Sequence, residues 1–120
     1  MESERPQGEQ WLVVCLCAQW CGVCKDYRQG FEDLAASHPE ARFLWLDIED
    51  REDVAGDLDI ETFPCLLISD DQHARFLGPV LPQLQVLSRL LVSLQRNGPA
   101  PVAVSAEAQA LRDRIVAAGL

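Results

Sequence analysis

Trp20-Cys21-Gly22-Val23-Cys24-Lys25 is the stretch around which the fold of this chain is organised. It follows a continuously apolar run of strand length, Trp11 to Ala18, and precedes a segment whose apolar residues recur with a helical period. A Cys-x-x-Cys pair between a strand and a helix is typical of a thiol–disulfide redox site. The stretch therefore predicts a redox pair at a strand-to-helix junction.

The spacing of the two cysteines suits the first turn of a helix. Two intervening residues allow Cys21 to cap the helix while Cys24 lies one turn inside it. Unpaired N–H groups and the positive end of the helix dipole stabilise a thiolate at the cap. The stripe Cys24, Tyr27, Phe31 and Leu34 places Cys24 on the core-facing side. Cys21 is thus the predicted nucleophile and Cys24 the shielded resolving cysteine.

The same stretch resembles the active-site signature of the thioredoxin family. With Trp20 before the first cysteine, it is similar to Trp-Cys-Gly-Pro-Cys-Lys, and only Val23 departs from that pattern. Ile60-Glu61-Thr62-Phe63-Pro64 resembles the segment that leads to the family's cis-proline, and Gly78 falls where the family has a glycine before its last helix. The resemblance covers residues 11–97 and implies an α/β fold. We expect a central mixed sheet of about four strands flanked by helices, with a short N-terminus and an added C-terminal helix.

The resemblance also implies a function, thiol–disulfide exchange on protein substrates, in which Cys21 attacks and Cys24 resolves. The implied electron donor is a thioredoxin-reductase-like protein or glutathione, and no cofactor or metal is expected. The residues that the resemblance assigns to substrate binding are Trp20, Gly22, Val23, Phe63 and Pro64.

Departures from the family pattern concentrate around the sulfurs. Cys15 stands where the family has a buried acid, and Trp45 replaces the lysine that partners this acid. Cys17 occupies a position that is often tryptophan, and Cys65 follows the predicted cis-proline where threonine is common. The family's proton relay to the resolving cysteine is therefore absent, and we expect a mixed disulfide to be resolved slowly.

The cysteines also allow other interpretations. Cys15 and Cys17 can be interpreted as small apolar residues that pack in a buried strand. A second hypothesis is a metal or iron–sulfur site built from Cys21, Cys24 and Cys65, although no second Cys-x-x-Cys accompanies the first. A third is a non-catalytic thioredoxin-like module that binds a partner or senses oxidation. Loss of turnover on substitution of Cys21 by Ser would separate an enzyme from such a module.

Length and charge limit the classes of partner. The chain has 120 residues, enough for one domain with its own core, and a formal net charge of −9. This charge argues against nucleic acid, which binds basic patches. No apolar run approaches the ~20 residues that span a membrane. Because the first ten residues lack the basic and apolar parts of a signal peptide, the expected location is cytoplasmic.

The order of the chain predicts four parts. These are a flexible N-terminal arm over 1–10, a thioredoxin-like domain over 11–97, a linker over 98–104 and a C-terminal helical extension over 105–120. Within the domain, we expect a strand over 42–48, a hairpin with strands 64–69 and 74–77, and a helix from near 82 to 97. The C-terminal helix carries a thin apolar stripe, formed by Ala108, Leu111, Ile115 and Ala118. It either docks where the family's first helix would lie or remains a frayed appendage.

Overall fold

The elements of this computed structural model follow the predicted order. It describes residues 11–18, 22–39, 41–55, 64–80, 83–97 and 102–119. The elements are β1 (Trp11–Cys17), α1 (Gly22–Ser37), β2 (Ala41–Asp47), α2 (Glu52–Ala55), β3 (Cys65–Ser69), β4 (Ala74–Pro79), α3 (Leu84–Arg96) and α4 (Ala106–Ala117). The second strand begins one residue earlier than predicted, and β4 extends two residues further.

The strands form one mixed sheet in the order β2-β1-β3-β4. β1 pairs parallel with β2 and antiparallel with β3, and β3 pairs antiparallel with β4. A strand with neighbours on both sides and helices on both faces has no solvated side, which explains the continuous apolar run of β1. The predicted α/β fold with a four-stranded mixed sheet is confirmed.

Alternate side chains of β1 enter two separate cores. Val13, Cys15 and Cys17 belong to the core beneath α1 and α3, whereas Val14 and Leu16 belong to the core beneath α4. All five side chains are at most 1% exposed. The alternation predicted from the period of two is therefore confirmed.

α1 and α3 cover one face of the sheet. The predicted stripe of α1 is buried at Cys24, Tyr27 and Phe31, and the Phe31 ring lies 5.7 Å from the Trp45 ring of β2. α3 contributes fully buried leucines, of which Leu87 is one. This layer positions the first turn of α1 above the end of β1.

α4 covers the opposite face. Its N-cap is Ser105, whose hydroxyl accepts a hydrogen bond from the backbone N–H of Ala108 at 3.0 Å. Ala108, Leu111 and Ile115 are buried against the sheet. The predicted stripe is wrong at Ala118, which is exposed because it caps the helix rather than continuing it.

Polar side chains of α4 bind the backbone of the β3–β4 hairpin. The backbone N–H of Ala74 donates to Gln109 Oε1 at 2.8 Å, and Arg112 Nη2 donates to the carbonyl of Asp71 at 2.6 Å. Val104, which precedes the N-cap Ser105, adds a further bond to the hairpin: its backbone N–H donates to the carbonyl of Ala74 at 2.9 Å. These bonds pair backbone groups at the outer edge of β4. α4 is thus held by directed bonds as well as by apolar contact.

Candidate redox site

The junction between β1 and α1 carries the predicted redox stretch. Gly22 and Val23 begin α1 at the surface, and the Val23 side chain is 44% exposed, whereas Cys24 is 1% exposed. Cys24 therefore lies on the buried side of the first turn, as its stripe predicts. Trp20 and Cys21 lie outside the described residues, so the Cys21–Cys24 pair stays a prediction.

The structure joins Cys24 to Cys17, the last residue of β1, by a disulfide. The two Cα atoms are 6.0 Å apart, within the usual range for a bridged pair. Both side chains are 1% exposed, so the bond is buried beneath α1. This differs from the interpretation of Cys17 as a small apolar residue. The signal in the sequence is that strand alternation and the helical stripe direct both sulfurs into the same core.

Cys15 lies in the same core, next to this disulfide. Its Sγ is 3.6 Å from the Sγ of Cys17, and its side chain is fully buried. Burial raises the pKa of the Cys15 thiol far above its ordinary range, and the nearby Cys65 adds to the effect. Cys15 is therefore protonated at neutral pH.

Tyr27 adds a phenol hydroxyl to this core. Its hydroxyl is buried and has no hydrogen-bond partner among the residues that the structure describes. Burial, followed by the proximity of Cys15, raises the pKa of Tyr27 above its ordinary value. The phenol is thus neutral at physiological pH, and neither Tyr27 nor Cys15 supplies a base for Cys24.

Cys65 lies on the other side of the sheet. It pairs with Leu16 in the β1–β3 register and packs in the core beneath α4. Burial raises the pKa of Cys65 to about 11. Because the sheet separates Cys65 from Cys24, the described residues do not assemble the hypothesised ligand set of Cys21, Cys24 and Cys65. In the described ranges, no group of three or more His, Cys, Asp or Glu side chains is arranged to hold a metal ion.

Pro64 lies at the end of the sheet where β1 ends. It is buried, and its carbonyl accepts a hydrogen bond from the N–H of Val80 at 3.1 Å. Since Cys65 pairs with Leu16, the residue before it continues the register toward Cys17. The fold therefore brings the predicted substrate-orienting proline next to the β1–α1 junction. Phe63, the other residue predicted on this segment, lies outside the described residues.

A cleft of about 870 Å³ opens between α1 and β2, and Cys24 is part of its wall. The guanidinium of Arg28 lies 5.3 Å from the centre of the Trp45 ring, a cation–π distance. The cleft combines an apolar wall with both signs of charge, contributed by Lys25, Arg28, Arg51, Asp47, Glu49 and Asp50.

Across the described part of the chain, none of the helices has the length and hydrophobicity needed to cross a bilayer.

Comparison with known sequences points to one family. The family model described as Thioredoxin matches residues 3–84. The thioredoxin of Mus musculus is 35% identical over 63 residues, which cover 52% of this chain and 60% of that protein. The thioredoxin of Ophiophagus hannah is 33% identical over 57 residues, covering 48% of this chain and 54% of that protein. The matched region thus spans less than two thirds of the length of these relatives.

Solved structures share the fold. Fasciola hepatica thioredoxin superposes with a TM-score of 0.63 at 24% identity, covering 70% of this chain and 80% of that chain. Thioredoxin f from spinach chloroplast has a TM-score of 0.63 at 23% identity and covers 74% of each chain. Because the family model matches residues 3–84, which is more than half of the chain, the chain belongs to the thioredoxin family.

Proposed function

We propose that the chain is a thiol–disulfide oxidoreductase that acts on protein disulfides through Cys21 and Cys24. The observation that carries this proposal is the position of Cys24 on the buried side of the first turn of α1, at the end of β1, in a member of the thioredoxin family. Cys21 directly precedes the first helical residue in sequence, which is where a thiolate is stabilised by the helix.

The proposed reduction proceeds in two exchanges. The Cys21 thiolate attacks a substrate disulfide, and one substrate sulfur leaves as a thiolate while a mixed disulfide forms. Cys24 then attacks the Cys21 sulfur, which releases the second substrate thiol and leaves a Cys21–Cys24 disulfide. Two electrons pass to the substrate, and a thioredoxin-reductase-like protein or glutathione returns them.

The surface around the redox stretch suits a protein substrate. The exposed Val23 side chain offers an apolar contact at the start of α1, and Pro64 lies at the same end of the sheet. We assign the binding of the substrate chain to these two residues together with Trp20, Gly22 and Phe63. A reducing compartment such as the cytoplasm suits this direction of electron flow, because thiols are kept reduced there.

The second exchange is expected to be slow. Cys24 must lose its proton to attack, and the neighbouring Cys15 and Tyr27 are both neutral at physiological pH because burial raises each pKa. Water or the departing substrate sulfur must accept the proton instead. We therefore expect the mixed disulfide with Cys21 to accumulate during turnover, where it is detected by quenching with acid followed by mass spectrometry.

Reduction of insulin disulfides tests the proposed function. Substitution of Cys21 by Ser removes the nucleophile, so the rate is expected to fall to that of the reductant alone. Cys65→Ser serves as the control, because Cys65 lies across the sheet from Cys24 and is expected to leave the rate near that of the wild type. A Cys21→Ser variant that still reduces insulin would exclude the proposed mechanism.

A redox-sensing module is the second candidate, and the Cys17–Cys24 disulfide favours it. A Cys24 sulfur held by Cys17 is not free to resolve a mixed disulfide on Cys21. A wild-type chain that binds a partner in a redox-dependent manner but never turns over insulin would support the module over the enzyme.

A further inference from the structure

Cys24 has two candidate disulfide partners, one proposed from the sequence and one observed in the structure. Cys21 lies three residues before it in the redox stretch, and Cys17 at the end of β1 is bonded to it in the structure. One sulfur forms a single disulfide at a time. We infer that Cys17 is a third redox cysteine, to which Cys24 transfers its disulfide once the Cys21–Cys24 pair has been oxidised. This inference rests on the proposed function for the origin of that oxidised pair.

The transfer is an internal thiol–disulfide exchange. The Cys17 thiolate attacks the Sγ of Cys24, the Cys17–Cys24 bond forms, and the Cys21–Cys24 bond breaks with its electron pair on the Cys21 sulfur. The number of disulfides does not change, so the step needs no oxidant and no reductant. The proton lost by Cys17 is balanced by the proton that the released Cys21 thiolate takes from solvent.

The positions of the two sulfurs support this step. Cys17 ends a central strand and Cys24 lies in the first turn of a sixteen-residue helix, with their Cα atoms 6.0 Å apart. Both elements keep their secondary structure when the bond is present. The Cys17–Cys24 bond is therefore compatible with an intact β1 and an intact α1.

Cys15 supports the attacking sulfur. Its Sγ lies 3.6 Å from that of Cys17, within the distance of a sulfur hydrogen bond. Because burial keeps Cys15 protonated, its S–H can donate to Cys17 when Cys17 loses its proton. Cys15 is therefore a positioning residue for Cys17 rather than a second attacking thiol.

The transfer has a functional consequence. The Cys17–Cys24 bond is shielded from solvent at both ends, since each side chain is 1% exposed. The transfer releases the Cys21 sulfur from its bond with Cys24. The oxidised protein would thereby retain Cys21 as a thiol able to hold a partner in a mixed disulfide.

The Cys21→Ser variant isolates the internal pair. After removal of reductant, it is treated with excess glutathione disulfide, and its cysteines are mapped by differential alkylation and mass spectrometry. Glutathione disulfide accepts the two electrons: Cys24, which is part of the wall of the cleft between α1 and β2, forms a mixed disulfide with glutathione, and Cys17 then displaces the glutathione. We expect a Cys17–Cys24 disulfide, with Cys15 and Cys65 alkylated after denaturation.

Two further variants control the mapping. Cys21→Ser with Cys17→Ala is expected to lose the internal disulfide and to keep glutathione on Cys24. Cys21→Ser with Cys65→Ala, altered across the sheet, is expected to form the disulfide as before. Circular dichroism verifies that each variant is folded. A folded Cys21→Ser chain whose Cys24 stays glutathionylated, or pairs with Cys15, would overturn the inference.

Mapping of the oxidised wild-type chain separates this inference from the proposed function. A population with Cys17–Cys24 bonded and Cys21 alkylated supports the transfer, whereas Cys21–Cys24 as the sole disulfide contradicts it. A chain that fails to reduce insulin but forms Cys17–Cys24 retains the internal pair and loses the proposed turnover. A chain that reduces insulin but leaves Cys17 unpaired supports the proposed turnover and contradicts the internal transfer.

Discussion

The carboxylate of Asp70 holds the turn between β3 and β4. Its Oδ1 accepts the backbone N–H groups of Gln72 at 2.8 Å and His73 at 2.7 Å, and its Oδ2 accepts Arg75 Nη1 at 3.2 Å. Burial favours the neutral acid, but these hydrogen bonds and the Arg75 charge outweigh it and lower the pKa of Asp70. The carboxylate of Asp70 thereby holds the conformation of this polar turn beside α4.

Substitution of Asp70 by Asn tests this turn at the scale of one residue. An amide keeps the shape but loses the ion pair, so we expect the free energy of unfolding at pH 7 to fall by about 1–2 kcal/mol. A carboxyl whose folded pKa is lowered stabilises the fold above its unfolded pKa of about 3.9, and this contribution is lost as the pH falls through the folded pKa. The difference between the two proteins should therefore shrink in acid.

Urea unfolding at pH 7 and at successively lower pH values measures this difference. The exposed neighbour Asp71 is the matched control, and its change to Asn is expected to stay within about 0.5 kcal/mol of the wild type. A gap between wild type and Asp70→Asn that is independent of pH would show that the ionised carboxylate is not the source of the stability.

Among the elements, the packing of α1 against α3 depends on a glycine. A Cβ atom at Gly30 would overlap Leu84 Cδ1 and lie 3.2 Å from Leu84 Cγ. Gly30 thus allows the two helices to approach, although glycine in a helix costs about 1 kcal/mol relative to alanine. Close packing against Leu84 accounts for this residue.

Substitution of Gly30 by Ala therefore has two opposed effects. Overpacking costs about 1–3 kcal/mol, against a gain of about 1 kcal/mol in helix propensity. We expect a net loss of about 1 kcal/mol in the wild-type background and a net gain of similar size in a Leu84→Ala background, where the overlapping side chain is absent. Chemical unfolding of the four proteins of this cycle measures the coupling, and equal effects in both backgrounds would exclude the Leu84 contact.

For the whole molecule, α4 completes the second core. The sheet face that carries Val14, Leu16 and Leu67 is fully buried, and α4 contributes three buried side chains to it. Sheet faces that are apolar must be covered by another element. The C-terminal helix is therefore part of the folded unit and not an appendage.

Truncation of Leu111 to Ala tests the contribution of α4. Leu111 is fully buried, so we expect the free energy of unfolding to fall by about 2–5 kcal/mol. Val116→Ala is the matched control on the same helix, because Val116 is 53% exposed and its change is expected to stay within about 0.5 kcal/mol. A small effect of Leu111→Ala, with picosecond–nanosecond mobility of α4 in backbone relaxation, would contradict a docked helix.

The elements that form, and which of their faces are apolar, could be predicted from the amino-acid sequence alone. Alternation in β1, the stripe of α1 from Cys24 to Phe31 and the cap at Ser105 all follow from backbone geometry over a few residues, so local patterns were sufficient. The resemblance carried by the redox stretch added the order of strands and helices. The error at Ala118 came from the end of a helix, where the period no longer applies.

The pairing of the sulfurs could be seen only in the folded chain. The partner bonded to Cys24 is seven residues away and comes from another element, and Cys65 lies on the opposite face because of its register with Leu16. The close approach at Gly30 likewise depends on where α3 packs. These features follow from sheet register and layer packing, which bring together residues that are distant in sequence. Local sequence patterns do not reveal such contacts, because they describe only neighbouring residues.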